Sequence, residues 1–298
     1  MSLIRSFLFV PGNQPRKVEK ALALDADALI FDLEDAVAVS EKEKARQPVA
    51  AALARARRCL GYVRVNAMAT PYCYGDLVAV IGKGVDGVVL PKVESAADLH
   101  AIDWLLANLE RERGMAEGSI ELLPFLETAA GLTRVDRVLQ ARSLRPYRAG
   151  WRVKRVAFGA ADYANDLRLA PSSDEEELGH ARARIVLASR AAGLEAPVDS
   201  PWFDLRDAAG FRRSLERSRR TGFAARLCVH PDQVAAVNAT YSPSAEEIAS
   251  AERIVAAFRA AEAKGEAAVA VDGQMVDYPI AHRAERLLEL ARRLQAGS

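Results

Sequence analysis

Ala28-Leu29-Ile30-Phe31-Asp32-Leu33-Glu34-Asp35 is a continuous apolar run that breaks into three acids. A strand that is apolar on both faces is buried on both faces, the condition of a parallel sheet covered by helices. The same pattern recurs along the chain. It predicts strands at residues 6–10, 28–32, 62–65, 87–90, 120–127, 155–159, 197–200 and 226–230. Amphipathic stretches separate them. Pro15 suits the first turn of a helix, and Ser95 with Asp98 resembles a helix start whose helix runs to a stop at Gly114. Asp174-Glu175-Glu176-Glu177 puts acid at the start of the next long helix, where the dipole favours it. Eight strands alternating with helices fit a closed (β/α)8 TIM barrel better than a doubly wound sheet.

The barrel is expected to occupy residues 1–241, leaving residues 242–298 as an extension. Residues 244–264 have helical character. Residues 267–271, the pair Asp272-Gly273 and residues 274–276 form the pattern of a β-hairpin with a type I′ turn, and Pro279 opens a last helix. Such a tail packs on its own barrel or reaches a neighbouring subunit.

Composition narrows the function. The 298 residues carry 41 basic and 40 acidic side chains, a net charge of +1, so nothing global points to nucleic acid. Arg212, Arg213, Arg217, Arg219 and Arg220 cluster at the spacing of a solvated helix face. Cys59, Cys73 and Cys228 are too dispersed for a disulfide framework or a zinc site. The apolar run at residues 7–10 is too short for a signal peptide, and no stretch approaches a membrane span. The expectation is a soluble cytoplasmic protein.

A barrel carries its reactive groups at the C-terminal ends of its strands. Polar residues follow the apolar runs at six of the predicted ends: Asp32, Glu34 and Asp35; Arg64 and Asn66; Lys92; Glu127; Gly159-Ala160-Ala161-Asp162; and His230. Glu127 and Asp162 stand at neighbouring ends, where two carboxylates can hold a hard cation and leave positions for water and substrate. Either acid alone is as well explained as a helix cap. Arg64 needs an anionic partner, either a substrate oxyanion or an ion pair with Asp32, Glu34 or Asp35. Lys92 either neutralises carboxylates or forms a Schiff base with a carbonyl substrate. The Gly159–Asp162 turn is small enough for its backbone to approach a substrate carboxylate. His230 suits a satisfied barrel histidine, and Trp104, Trp151 and Trp202 suit packing.

Several segments together resemble the citrate lyase β-subunit-like family of the HpcH/HpaI aldolase superfamily. They are residues 5–12 (RSFLFVPG), 31–37 (FDLEDAV), 64–66 (RVN), 90–94 (LPKVE), 127–128 (ET), 158–162 (FGAAD), 229–231 (VHP) and 272–279 (DGQMVDYP). The resemblance runs in order over nearly the whole chain. It implies a (β/α)8 barrel, usually oligomeric and often trimeric. It implies Mg2+ ligation by Glu127 and Asp162, substrate binding by Arg64, and support of the metal's water shell by Glu34 and Asp35. An acid–base role for Asp277, presented by a neighbouring subunit, is also implied. The segment 142–152 is longer and more basic than the family pattern and could alter the rim.

These residues suit the retro-Claisen cleavage of a β-hydroxyacyl thioester, such as malyl-CoA, citramalyl-CoA or a citryl thioester, to a 2-oxoacid and an acetyl thioester. The acyl carrier is CoA or a carrier protein, and Arg16, Lys17 and Lys20 lie where CoA phosphates could meet them, although a solvated helix face explains them equally well. A class II-type pyruvate aldolase without a thioester, a phosphoenolpyruvate-type phosphoryl enzyme and a catalytically silent thioester-binding subunit are the competing readings.

Overall fold

In the computed structural model, which describes residues 4–296, eight parallel strands close on themselves in sequence order. They are β1 (Ser6–Pro11), β2 (Ala28–Asp32), β3 (Leu60–Arg64), β4 (Gly87–Leu90), β5 (Glu121–Leu126), β6 (Ala157–Phe158), β7 (Val198–Asp199) and β8 (Ala225–Cys228). Helices α1 (Pro15–Leu22), α2 (Lys42–Leu53), α3 (Cys73–Val80), α4 (Ala96–Glu112), α5 (Ala129–Thr133), α6 (Val135–Gln140), α7 (Ala160–Asp166), α8 (Gly179–Ala191) and α9 (Ala208–Thr221) lie between them. The predicted (β/α)8 barrel is therefore the fold, with each strand within a few residues of its expected place.

Local chemistry explains the helix boundaries. Pro15 starts α1. Ser95 and Asp98 form a reciprocal capping box at α4, which ends just before Gly114 at φ +65°. Of the acids at 174–177, Glu176 and Glu177 stand as expected in the first turn of the helical segment that leads into α8, whereas Glu175 behaves differently. Glu175 takes a left-handed backbone at φ +55° and is buried, accepting from Arg182 Nη2 at 3.0 Å and from the Ser214 hydroxyl. Arg182 and Arg226 also bond to Asp199 in β7, at 3.1 and 3.2 Å. Two arginines and two acids thus join the segment before α8 to the outer face of the barrel. A buried guanidinium needs a carboxylate more than a helix dipole does.

The segment 142–152 does not reach the rim. Arg152 accepts at its carbonyl from Leu122 N–H, at the start of β5 and hence at the N-terminal end of the barrel. Its fully buried guanidinium bonds Asp103, and it grips both oxygens of Glu110 at 3.0 and 2.9 Å. Arg152 there serves an ion-pair lock at the opposite end from the chemistry. The tryptophans also divide: Trp202 is buried, whereas Trp104 is 61% and Trp151 40% exposed. His230 is not a satisfied interior histidine; its side chain is 43% exposed beside Asp232.

A second compact unit begins at Asn238. After α10 (Gln233–Thr240) come α11 (Ala245–Glu262), the antiparallel pair β9 (Val269–Val271) and β10 (Gln274–Val276), and α12 (Tyr278–Ala296). Asp272 and Gly273, at φ +51° and +80°, form the turn between β9 and β10. Ala251 and Val255 of α11 pack with Ala284 and Leu288 of α12, and Phe258, Val276 and Ala281 form a second small cluster. No helix among the described residues is long and apolar enough to cross a membrane.

Removing the charge of Arg152 while keeping its bulk, as in Arg152→Met, leaves Asp103 and Glu110 buried without their counterion. Breaking such a pair costs about 3–5 kcal/mol. Urea unfolding is expected to show a loss of that size; a change below about 1 kcal/mol would show that the lock does not hold this end of the barrel together.

Candidate active site

Strand alternation carries the core straight into the site. Residues two apart on a strand share a face. Ile30, Tyr62, Phe125, Ala157 and Leu227 fill the barrel interior, and two positions on stand Asp32, Arg64, Glu127, Gly159 and Val229. All five line one cavity of ≈ 360 Å³ at the C-terminal mouth, with Phe9 and Phe125 also in its lining. Asp35, Ala160, Ala161 and Asp162 line it too.

The register between β2 and β3 sets Asp32 beside Arg64. Arg64 Nε and Nη2 bond the two oxygens of Asp32 at 2.7 and 2.6 Å, a bidentate fork. Its Nη1 bonds Asp35 at 3.3 Å and lies 3.1 Å from Glu34 Oε2. The guanidinium sits over the Phe9 ring, 4.8 Å from its centroid. Burial opposes the charge on Arg64, but Asp32, Glu34 and Asp35 outweigh it and hold the group protonated. Burial likewise opposes the Asp32 carboxylate, yet Arg64 and the N–H groups of Glu34 and Ala36 keep it below its usual range.

Lys92 joins the acids across the rim. Its Nζ donates to Glu34 Oε1 at 2.9 Å and lies 3.3 Å from Asp162 Oδ1. Burial works against this ammonium, but Glu34, then Glu127 and Asp162, outweigh it and raise it above its usual range. A Schiff base needs a neutral amine, so these contacts count against that role. Lys92 takes a left-handed backbone at φ +52°, which aims its N–H at Glu127 Oε1, 2.8 Å away. Gly159 is required by the same carboxylate: a Cβ there would stand 2.2 Å from Glu127 Oε2.

Carboxyl groups outnumber cations. Arg64 and Lys92 face Asp32, Glu34, Asp35, Glu127 and Asp162. Burial, followed by the neighbouring Asp162 and Glu34, pushes the Glu127 carboxyl up to about 8. Burial also raises Glu34, and its Oε2 accepts no hydrogen bond among the described residues, since Arg64 Nη1 is near but misaligned. An excess of oxygen donors with an unsatisfied buried oxygen suits a hard divalent cation. Among the described residues no three His, Cys, Asp or Glu groups form a closed metal cage. A cation that keeps water and substrate oxygens among its ligands needs only one or two carboxylates.

Of the residues singled out from sequence, Asp35, Arg64, Glu127, Gly159, Ala160, Ala161 and Asp162 share the cavity, whereas Lys92 lines an adjoining hollow. Asp162 is not at a strand end but in the first turn of α7. Asp277 belongs to the second unit, where its Oδ1 accepts from Ile280 N–H at 3.4 Å at the start of α12. Sequence reasoning missed Lys42. Its buried ammonium bonds the carbonyls of Leu33 and Glu34 and Asn66 Oδ1, at 3.2, 2.8 and 2.6 Å, and so fixes the turn that carries the acids. An isolated lysine in a charged helix gives no local sign of this.

The raised Glu127 group makes stability depend on pH in a definite direction. Below its usual 4.5 the carboxyl is protonated in both folded and unfolded chains; between there and about 8 only the folded chain keeps the proton. That contribution is therefore present at low pH and is lost as pH rises through about 8. Metal-free protein is expected to lose up to about 1.4 kcal/mol per pH unit from this group across that window. Glu127→Gln removes this part of the slope. Denaturant titrations in EDTA at several pH values check it, and equal slopes for the two proteins would refute it.

Comparison with known proteins agrees with the geometry. The family model described as HpcH/HpaI aldolase/citrate lyase matches residues 5–231. The citrate lyase subunit beta of Leuconostoc mesenteroides subsp. cremoris is 35% identical over 295 residues, covering 97% of this chain and 93% of that protein. The L-malyl-CoA/beta-methylmalyl-CoA lyase of Cereibacter sphaeroides is 33% identical over 315 residues, covering 98% and 96%. Among solved structures, CitE from Mycobacterium tuberculosis in complex with magnesium, acetoacetate and coenzyme A superposes with a TM-score of 0.78 at 30% identity, covering 97% of this chain and 98% of that one. With a barrel that carries acids and arginine at its mouth and relatives alike over nearly their full length, this chain belongs to the HpcH/HpaI aldolase/citrate lyase family.

Proposed function

We propose that the chain is a magnesium-dependent carbon–carbon lyase that cleaves or forms a β-hydroxyacyl thioester, giving a 2-oxoacid and an acetyl thioester. The observation that carries this reading is the excess of carboxyl groups over cations at the barrel mouth, in a chain similar throughout to enzymes named for this chemistry. Glu127 and Asp162 hold the Mg2+, which when bound stabilises negative charge on the substrate's hydroxyl and carboxylate oxygens. Arg64 adds positive charge through Nη1, the edge turned away from its fork on Asp32, where substrate oxygens share it with Glu34 and Asp35. Glu34 and Asp35 position Arg64 and water at the rim. The small Gly159-Ala160-Ala161 turn lets backbone N–H groups approach the substrate carboxylate. Lys92 holds Glu34 by a hydrogen bond and stands within ion-pair distance of Asp162, and so acts on the substrate through them.

In this reading Asp277 moves the proton to or from the carbon of the acetyl thioester, and it does so in the site of a neighbouring subunit. Its setting supports the role: it follows β10 directly, between the exposed Met275 and Tyr278, and is itself only partly buried. The assembly is then a homo-oligomer, with a trimer favoured, and the protein works in the cytoplasm on a CoA or carrier-protein thioester.

Malyl-, citramalyl- and citryl-CoA incubated with the protein and Mg2+ are expected to release 2-oxoacid, and EDTA to stop it. Absence of release from all three would refute the reading. Asp277→Asn keeps a capping side chain and so the fold, and is expected to lower turnover roughly 10²–10⁴-fold. Mixed oligomers of Asp277→Asn and Glu127→Gln subunits should regain activity. No recovery in confirmed mixed oligomers would remove the shared site.

A further inference from the structure

We infer that the 2-oxoacid handled at this mouth carries no second carboxylate: its variable substituent is hydrogen or a small alkyl group, as in glyoxylate or pyruvate, and not the carboxymethyl group of oxaloacetate. The inference rests on the lyase reading above and specifies its substrate class.

The cavity has two unlike halves. The ends of β2, β3, β5 and β6 supply every charged group in its lining: Asp32, Asp35, Arg64, Glu127 and Asp162. Among the described residues Arg64 is the only cation there, and its guanidinium already contacts three acids. Lys92, just behind, is engaged by Glu34 and Asp162. Arg134 lines the adjoining hollow with Met68 and Thr128 and does not line this cavity. One divalent cation narrows the excess of negative charge on this half without reversing it. The first carboxylate of a 2-oxoacid can be accommodated by the cation and Arg64, but a second one meets like charge.

The other half, from the ends of β7, β8 and β1, offers Pro201, Phe203, Leu227, Val229 and Phe9. It holds no donor side chain among the described residues. A carboxylate placed there loses its water and gains no partner, whereas a methyl or ethyl group gains apolar contact. Within the single chain Phe203 is 60% exposed, a large ring at the mouth. An alkyl substituent lying against Phe203 and Val229 would bury part of that surface. These two residues are the specificity-determining contacts.

The test compares kcat/KM for malyl-, citramalyl- and citryl-CoA with Mg2+. Malyl- or citramalyl-CoA is expected to exceed citryl-CoA by at least about tenfold, the low end of what a pocket of fixed polarity enforces. Citryl-CoA cleaved equally well or better overturns the inference and leaves the lyase reading standing. If no thioester is cleaved, the lyase reading fails; calorimetric binding of pyruvate and oxaloacetate with Mg2+ then decides the inference, with tighter pyruvate supporting it and tighter oxaloacetate overturning it. Phe203→Arg, at an exposed position that tolerates charge, supplies the missing cation. It is expected to shift binding toward oxaloacetate over pyruvate by at least about fivefold, within the range a new charge-assisted contact provides. An unchanged ratio in a folded variant removes Phe203 from the specificity wall.

Discussion

The Arg64–Asp32 fork is the interaction on which the barrel mouth depends. Five carboxyl groups converge there because strand alternation and the acidic turn after β2 bring them together. Without a buried guanidinium they would repel one another, and the turn at Leu33–Asp35 could not lie against the barrel. Arg64 removes that repulsion in one direction, and Lys92 does so in another by reaching from the end of β4 to Glu34 and Asp162. What remains uncompensated is local to Glu127, whose carboxyl is buried between Lys92 N–H and the glycine at 159. Compensation is thus strong at one side of the mouth and incomplete at the other, and the incomplete side is where a cation has most to gain.

For Asp32, Arg64 and Glu127 the barrel strands alone supply the arrangement. Ile30 to Asp32, Tyr62 to Arg64 and Phe125 to Glu127 are each one step along the same strand face, so the last buried apolar residue and the first functional one share a direction. The floor made by Phe9, Phe125 and Leu227 then lowers the polarity beneath the acids. The raised proton affinity of Glu127 follows first from its burial and then from its acidic neighbours Asp162 and Glu34.

Most of the fold was legible because each strand is short, apolar on both faces and closed by a polar residue. The strand ends were less so. Strand β6 covers only Ala157–Phe158, and the chain turns into α7 at Ala160, which puts Asp162 in the first turn of that helix rather than at a strand end. Spacing could identify the acids and Arg64 as a set, but not their pairing: whether Arg64 faces Asp32 or a ligand depends on register. Lys42, buried among backbone carbonyls eight and nine residues before it, looks in sequence like any lysine of a charged helix. Charge density misled at Arg152 and Glu175, which serve buried pairs rather than the rim or a helix dipole. Composition counts charges and does not say which of them lie inside.

The pairing of Glu175 has a mechanical consequence. Residues 167–178 connect α7 to α8 and wall an outer cleft of ≈ 720 Å³ that shares Ala160, Ala161, Pro201 and Phe203 with the mouth. A connection of that length at a barrel rim is where a moving cover is usually sought. Here it is tethered by a carboxylate seated between Ser214 and Arg182, with Arg226 3.8 Å away, and those arginines are themselves bonded to β7 through Asp199. Lifting the segment would mean extracting a charge from a dry socket and stranding two others. Its position is therefore set by the outer layer of the barrel and not by what enters the mouth, so this wall behaves as a fixed jamb rather than a door.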